Sequence, residues 1–173
     1  MLLLDLFKPI RLFVFDVDGV LTDGTILIAG EGDYARRMNV KDGYALQLAR
    51  KKGYAIMIIS GSDAPAVELR MRKLGINDVH MKVTDKLKYL RSYTTDNNYD
   101  RSQVLFMGDD MPDVEAMKYA GVACCPADAV SEAKAVANYI SPFKGGDACV
   151  RDVIEKVMKQ NNHWQHMEDI ASR

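Results

Sequence analysis

The chain has 173 residues, of which 48% are hydrophobic, enough to build one ordinary hydrophobic core without disulfide or metal staples. Lysine and arginine total 23 against 24 for aspartate and glutamate, so no general basic field exists to attract nucleic acid or an anionic membrane, and any anionic ligand must be held by a local site. Three cysteines, two of them adjacent at Cys124 and Cys125, match neither a disulfide framework nor a zinc cluster, which points to a reducing, cytoplasmic setting.

In chain order, the opening Met1-Leu2-Leu3-Leu4 run is broken by Asp5, Lys8 and Pro9, and no stretch reaches the length of a membrane span or a secretory core. Leu12-Phe13-Val14-Phe15 is the first of four continuous apolar runs. The others are Ala55 to Ile59, Val104 to Met107 and Val122 to Cys125. Runs without alternation suit strands buried on both faces, as in a parallel sheet covered by helices, and give an α/β fold class. Between the first two runs, residues 25–28 and 34–38 flank a Gly-rich turn over 29–33, and predict a β-hairpin projecting after the first strand at about 24–38. Amphipathic helices are predicted over Lys41–Lys52, Asp63–Lys73, Thr84–Arg91, Pro112–Tyr119 and Asp147–Met158. Ser62 or Asp63 is placed to cap the second, Thr84 the third, and Pro112 suits a first helical turn. The polar end, about 160–173 with Trp164 and Met167 embedded, reads either as a frayed tail or as a docking segment. The whole is expected to be one domain.

In an open parallel sheet the loops after the strands converge on one crevice, so the residues that follow each apolar run are the candidates for chemistry. Those residues are Asp16 and Asp18, then Ser60 and Gly61, then Asp109, Asp110 and Asp113 after Gly108; Lys86 opens the intervening helix. Several carboxylates in one crevice repel one another unless a hard cation neutralises them, and oxygen donors with open positions suit Mg²⁺. With magnesium in place a phosphoryl group can approach. Asp16 can then attack as a carboxylate nucleophile, and Asp18 is placed for acid/base work. Lys86 and Ser60, with Gly61 and nearby backbone amides, are the donors for phosphoryl oxygens. Arg70 and Arg72, on the second predicted helix, and Lys82 read as surface charges, with a substrate carboxylate as the alternative partner of each. His80, His163 and His166 show no metal-ligand spacing, and Cys124 and Cys125 read as packing.

The ordered set Asp16-x-Asp18-Gly-Val-Leu-Thr, Ser60-Gly61, Lys86 and Gly-Asp109-Asp110-x-x-Asp113 resembles the four motifs of the haloacid dehalogenase superfamily, over Phe13 to about Ile154. The resemblance implies a Rossmann-like three-layer sandwich and a phosphatase working through an aspartyl-phosphate. It assigns Asp16 as nucleophile, Asp18 as acid/base with its carbonyl on the metal, Ser60 and Lys86 to the phosphoryl group, Asp16 and Asp109 to Mg²⁺, and Asp110 and Asp113 to support, Asp113 orienting Lys86. Only 44 positions separate Asp16 from Ser60 and 26 separate Ser60 from Lys86, too few for an inserted substrate-selecting domain, so the chain is expected to be capless. Asp16 to Gly24, Lys41-Asp42-Gly43, Thr84-Asp85-Lys86 and Gly145 to Asp152 are similar to the capless 3-deoxy-D-manno-octulosonate 8-phosphate phosphatases and their nonulosonate 9-phosphate relatives. That likeness implies a phosphorylated 2-keto-3-deoxy sugar acid as substrate and a homotetramer in which neighbours close each site. The alternatives within the resemblance are a nine-carbon substrate or a non-catalytic scaffold. A response-regulator receiver shares the fold class and metal, but the Asp16-x-Asp18 pair argues against it. The chain departs from the group at Ser62, where arginine is common, at Lys82, where glycine is common, and at Ala148, Cys149 and Asp152 in the Gly-Gly-x-Gly-Ala-x-Arg-Glu pattern.

Overall fold

The computed structural model describes residues 3–30, 32 and 34–171. Met1 and Leu2 of the opening run, Glu31 and Asp33 of the hairpin turn, and Ser172 and Arg173 of the tail lie outside the described residues. A short 3-10 turn at Leu3–Phe7 leads into strand β1 (Leu12–Phe15). There follow β2 (Leu27–Ile28), β3 (Tyr34–Ala35), α1 (Val40–Lys51), β4 (Ala55–Ile59), α2 (Pro65–Lys73), β5 (Val79–His80) and α3 (Lys86–Asp96). The chain continues through β6 (Val104–Met107), α4 (Val114–Tyr119), β7 (Val122–Cys125), α5 (Ser131–Val136), β8 (Tyr139–Ile140) and α6 (Cys149–Gln160).

Among the described residues six strands form one parallel sheet in the order β5-β4-β1-β6-β7-β8, with β1 between β4 and β6 in registers Leu12↔Ala55 and Leu12↔Val104. The four apolar runs are its central strands, and all four residues of β1, β6 and β7 are buried. Side chains alternate across the sheet. Phe13, Phe15, Ile58, Leu105, Met107 and Cys124 face one apolar layer with α1, α2 and α6. Leu12, Val14, Met57, Ile59, Phe106 and Cys125 face another with α3, α4 and α5. Each fully buried large side chain contributes about 1.5–3 kcal/mol of transfer free energy, which is why the continuous runs occupy the middle of a three-layer sandwich.

Helix α6 carries its buried residues Cys149, Val150, Val153, Ile154, Val157 and Met158 on one face. Its N-cap, Ala148, is left-handed at φ 70° and supplies no side-chain bond; the buried Asp42 of α1 accepts from Arg151 N at 2.8 Å instead. Lys82 is also left-handed, at φ 59°. Two of the positions where the resembling group has glycine therefore require the conformation glycine adopts most readily.

Several local expectations change. Helix α2 is capped by Ala64 without a side-chain bond, because Pro65 sets its first turn, and α3 is capped by Asp85, which accepts from Lys88 N at 2.9 Å, rather than by Thr84. The hairpin pairs only Leu27↔Ala35 and Ile28↔Tyr34, with a bridge Thr22↔Met38 at its base. Edge strands β5 and β8 and helix α5 join the predicted elements. The described part of the tail docks on its own chain: Tyr54 Oη meets His163 Nδ1 at 2.9 Å, Tyr44 Oη meets His166 Nδ1 at 2.6 Å, Lys51 pairs with Asp169, and Ile170 is 5% exposed. No helix among the described residues is long and apolar enough to cross a membrane.

Candidate active site

The loop after β1 is a tight turn built to present carboxylates. Asp16 leaves the strand with its N–H still donating to Met107 O at 3.1 Å, and Thr22 N closes the turn on Val17 O at 3.0 Å. Gly19 adopts φ 90°, and the buried Thr22 Oγ1 accepts from Gly19 N and Gly24 N, both at 3.2 Å. A Cβ on Gly19 would lie 2.5 Å from Asp109 Cγ, so glycine lets the Asp109 carboxylate rest against the backbone of the nucleophile loop. Gly145 and Gly146 pack the approach to α6 against the same loop, with Gly146 N donating to Val20 O at 3.0 Å.

The ends of β4, β6 and α3 complete a crevice of about 480 Å³ lined by Asp16, Asp18, Gly24, Ser60, Gly61, Ser62, Val83, Thr84, Lys86, Asp109, Asp110, Pro112 and Asp113. Ser60 is fixed by its backbone, N donating to His80 O at 2.9 Å and O accepting from Val83 N at 2.9 Å. Lys86, first residue of α3 and 5% exposed, donates from Nζ to Asp16 Oδ1 at 2.7 Å and to Asp113 Oδ1 at 2.5 Å. Asp113 Oδ2 accepts from Asp109 N at 3.0 Å, so its two oxygens hold both the lysine and the loop that carries Asp109. Gly108 leaves the space into which Asp113 folds back. Asp110, exposed, caps the turn at Met111–Asp113 by accepting from Met111 N at 2.7 Å.

Oxygen atoms of Asp16, Asp109 and Asp113 lie within 4.8 Å of one another. Burial, then the charge of Asp113, pushes the Asp16 carboxyl up to about 7 against the lowering effect of Lys86. Burial, then Asp16, Asp113 and Asp110, pushes Asp109 to about 8. Burial alone would lower the Lys86 ammonium, but Asp16 and Asp113 outweigh it and raise its pKa. Fully ionised, the three carboxylates would outnumber the one ammonium by two charges, and Asp109 Oδ1 is buried with no hydrogen-bond partner. Hard oxygen donors, a charge deficit of two and an unpartnered buried oxygen fit a divalent cation of the magnesium type.

The structure thus brings together Asp16, Asp18, Ser60, Gly61, Lys86, Asp109, Asp110 and Asp113. Arg70 does not line this crevice; it lines an adjoining cleft of about 490 Å³ between the hairpin and α2, together with Tyr34, Arg36, Met38 and Asp63. Two residues complete the environment of Asp18: Arg36, which the motif pattern did not single out, and Ser62, noted only as a departure where the group has arginine. Arg36 Nε donates to Asp18 Oδ1 at 2.5 Å and its Nη2 to Oδ2 at 3.3 Å, while Ser62 Oγ donates to Oδ2 at 2.9 Å. The signal for Arg36 was the hairpin: with Thr22 bridged to Met38, alternate residues of the returning strand turn to the catalytic loop.

A family model for haloacid dehalogenase-like hydrolases matches residues 73–154. The chain is 32% identical over 149 residues to the 3-deoxy-D-manno-octulosonate 8-phosphate phosphatase of Yersinia pestis, covering 86% of this chain and 80% of that one. It superposes with TM-score 0.90 and 34% identity on the crystal structure of the phosphatase of that name from Moraxella catarrhalis in complex with a magnesium ion, a phosphate ion and a KDO molecule, over 93% of each chain. The Yersinia pestis crystal structure matches with TM-score 0.90 and 30% identity over 93% of this chain and 87% of that one.

Proposed function

The chain belongs to the haloacid dehalogenase-like phosphatases, and from that premise we propose that it is a capless, magnesium-dependent enzyme of one domain that hydrolyses a phosphorylated 2-keto-3-deoxy sugar acid, 3-deoxy-D-manno-octulosonate 8-phosphate first among them. The observation that carries the mechanism is the buried Asp16–Lys86–Asp113 network beside the unpartnered Asp109 Oδ1. Asp16, Asp109 and the backbone carbonyl of Asp18 would hold the metal. Bound there, magnesium supplies the two missing positive charges and polarises phosphoryl oxygens.

The Asp16 carboxylate attacks phosphorus, forming an Asp16 O–P bond as the bond to the sugar oxygen breaks. Asp18 gives its proton to that oxygen, so the sugar leaves as an alcohol. Asp18 then takes a proton from the water that attacks phosphorus, the Asp16 O–P bond breaks, and phosphate departs with the carboxylate restored. Lys86 spends two of its three N–H bonds on Asp16 and Asp113, which orients the nucleophile and leaves one for a phosphoryl oxygen. Ser60 and the amides of the nucleophile loop donate to the others. Asp110 and Asp113 act through what they hold.

The exposed apolar side chains of the hairpin, Ile26, Leu27, Ile28 and Tyr34, from 48% to 71% exposed, support burial of this arm against other copies in a homotetramer, which would also close the open crevice. Arg70, in the adjoining cleft, is then a candidate for the substrate carboxylate. A cytoplasmic setting accords with three buried free cysteines.

Phosphate release from a panel of phosphorylated eight- and nine-carbon sugar acids, with and without magnesium, tests the proposal. Release from the eight-carbon ester at the highest kcat/KM is expected. Equal rates on simple alkyl phosphates would remove the sugar-acid assignment, and a preference for the nine-carbon ester would move it to the nonulosonates. Light scattering at a tetramer mass is expected, and a monomer that still selects sugar acids would refute closure by neighbours.

A further inference from the structure

The oxygens assigned to magnesium come from two separate loops: Asp16 and the Asp18 carbonyl follow β1, and Asp109 follows β6. The spacing of these loops decides whether one cation can touch all three, and magnesium demands near-octahedral oxygens at about 2.0–2.1 Å. Lys86 and Asp113 tie the loops together inside the crevice, Lys86 donating to Asp16 and Asp113, and Asp113 accepting from Asp109 N. A second tie runs through residues 126–130, the loop after β7, none of which lines the crevice.

Val130 N donates to Asp109 O at 2.9 Å, so the β7 loop holds the backbone of the Asp109 loop directly. Two residues earlier, Asp128 Oδ1 accepts from Gly145 N at 2.9 Å, and beside it Ala127 N donates to Phe143 O at 2.9 Å. Gly145 lies flat on the nucleophile loop: a Cβ there would overlap Gly19 O, and the next residue, Gly146, donates from N to Val20 O at 3.0 Å. Gly19 in turn rests against the Asp109 carboxylate. The contacts close into a circuit: Asp109 to Val130, Asp128 to Gly145, Gly145 to Gly19, and Gly19 back to Asp109. Its other links are made by backbone atoms or by Asp109 itself, so the Asp128 carboxylate can be removed without altering a crevice residue. An aspartate in a turn commonly bonds a backbone N–H two residues on. Asp128, exposed, instead reaches 17 positions ahead, to the one amide whose residue is pressed on Gly19 O.

We propose that Asp128 is a positioning residue for the magnesium site: by holding Gly145 N it keeps the nucleophile loop seated against Asp109, and so fixes the spacing of the oxygens that receive the metal. It touches neither the metal nor the substrate, and it works through an acceptor oxygen rather than through its charge. Loss of the bond loosens Gly145 but leaves the Asp16–Lys86–Asp113 network in place, so the cost falls on metal affinity. The inference rests on the magnesium reading above and adds a residue that lies outside the four motifs.

The test is calorimetric magnesium titration of wild type, Asp128→Ala and Asp128→Asn, with melting curves and phosphate release as further readouts. In Asp128→Ala magnesium should bind about tenfold more weakly, the lower end of what a lost outer support of a metal ligand costs. Asp128→Asn loses the charge but keeps an acceptor for Gly145 N, and its affinity should stay within about twofold of wild type, since an exposed charge contributes little. Saturating magnesium should return kcat and KM of Asp128→Ala to wild-type values. Asn as weak as Ala would mean that Asp128 acts by its charge alone, and would overturn the positioning role. Wild-type affinity in Asp128→Ala would also overturn it, as would a loss of turnover that saturating magnesium does not restore. Should Asp128→Ala not fold, Asp128→Glu, which keeps the charge and displaces the oxygen by one methylene, takes its place and should weaken magnesium in the same sense. A wild type that binds no magnesium would remove the metal reading and the proposal with it, whereas the other contrary outcomes overturn the proposal alone.

Discussion

Replacing Gly19 by alanine tests how the site is built, because one methyl group there acts on both the backbone and the Asp109 carboxylate. At φ 90° a side chain costs about 1–2 kcal/mol. For a chain of this size each kcal/mol moves the melting temperature by about 2–4 °C, so Gly19→Ala should melt roughly 2–8 °C lower. The larger effect is local: the new Cβ would sit 2.5 Å from Asp109 Cγ, and Asp109 must withdraw by about 1 Å, a displacement that costs on the order of 100-fold in rate when it affects a catalytic group. Gly53→Ala supplies the control, since Gly53 has a similar φ of 87°, meets nothing within 4 Å and is remote from the crevice; it should share the melting shift and keep its turnover. Calorimetric magnesium titration, melting curves and kcat/KM on the three proteins are the measurements. Gly19→Ala with wild-type magnesium affinity and turnover would falsify the claim that Asp109 is seated against this loop.

Three further outcomes follow from the same geometry. Magnesium should bind with release of protons near pH 7, and more tightly as pH rises from 6 to 8, because burial and mutual repulsion hold Asp16 at about 7 and Asp109 at about 8; titrations in buffers of different ionisation enthalpy would show it, and pH-independent affinity would count against it. Burial holds the Asp42 carboxyl at about 7, so between about pH 4 and 7 the folded state keeps a proton that the unfolded chain releases, and stability falls as pH rises through that window. Asp42→Asn should therefore gain on the wild type by on the order of 2 kcal/mol between pH 5 and pH 8 in urea unfolding, and a difference that does not change with pH would refute the burial argument. Lys82→Gly relieves a left-handed residue at the cost of an exposed ion pair to Asp63, and should raise the melting temperature by about 2–4 °C; a fall would show that the ion pair outweighs the strain.

The sheet's centre was legible because Leu12–Phe15, Ala55–Ile59, Val104–Met107 and Val122–Cys125 are buried on both faces and so carry no polar alternation. The edge strands Val79–His80 and Tyr139–Ile140 were not, since two half-exposed residues have no period to read. Asp16, Ser60, Lys86 and Asp109 could be grouped because each follows a strand or opens a helix, where parallel topology fixes convergence without knowledge of side-chain contacts. Arg36 and Asp42 reach their partners through geometry that only the folded chain supplies. Arg36 arrives on a returning hairpin strand 18 positions from Asp18, and Asp42 caps a helix that begins more than 100 residues later. The caps misread at Ser62 and Asp63 gave way to Pro65, which sets the first turn of α2 after Ala64, and Thr84 gave way to the adjacent Asp85.

Trapping the covalent intermediate tests the central claim most directly. Enzyme in excess over substrate labelled in its phosphate is quenched with acid within the first turnover and digested. Label is expected on the peptide that holds Asp16, slow to form in Asp18→Asn, where no acid protonates the leaving sugar oxygen, and absent in Asp16→Asn. A full burst of free phosphate with no label ever passing through Asp16 would contradict it.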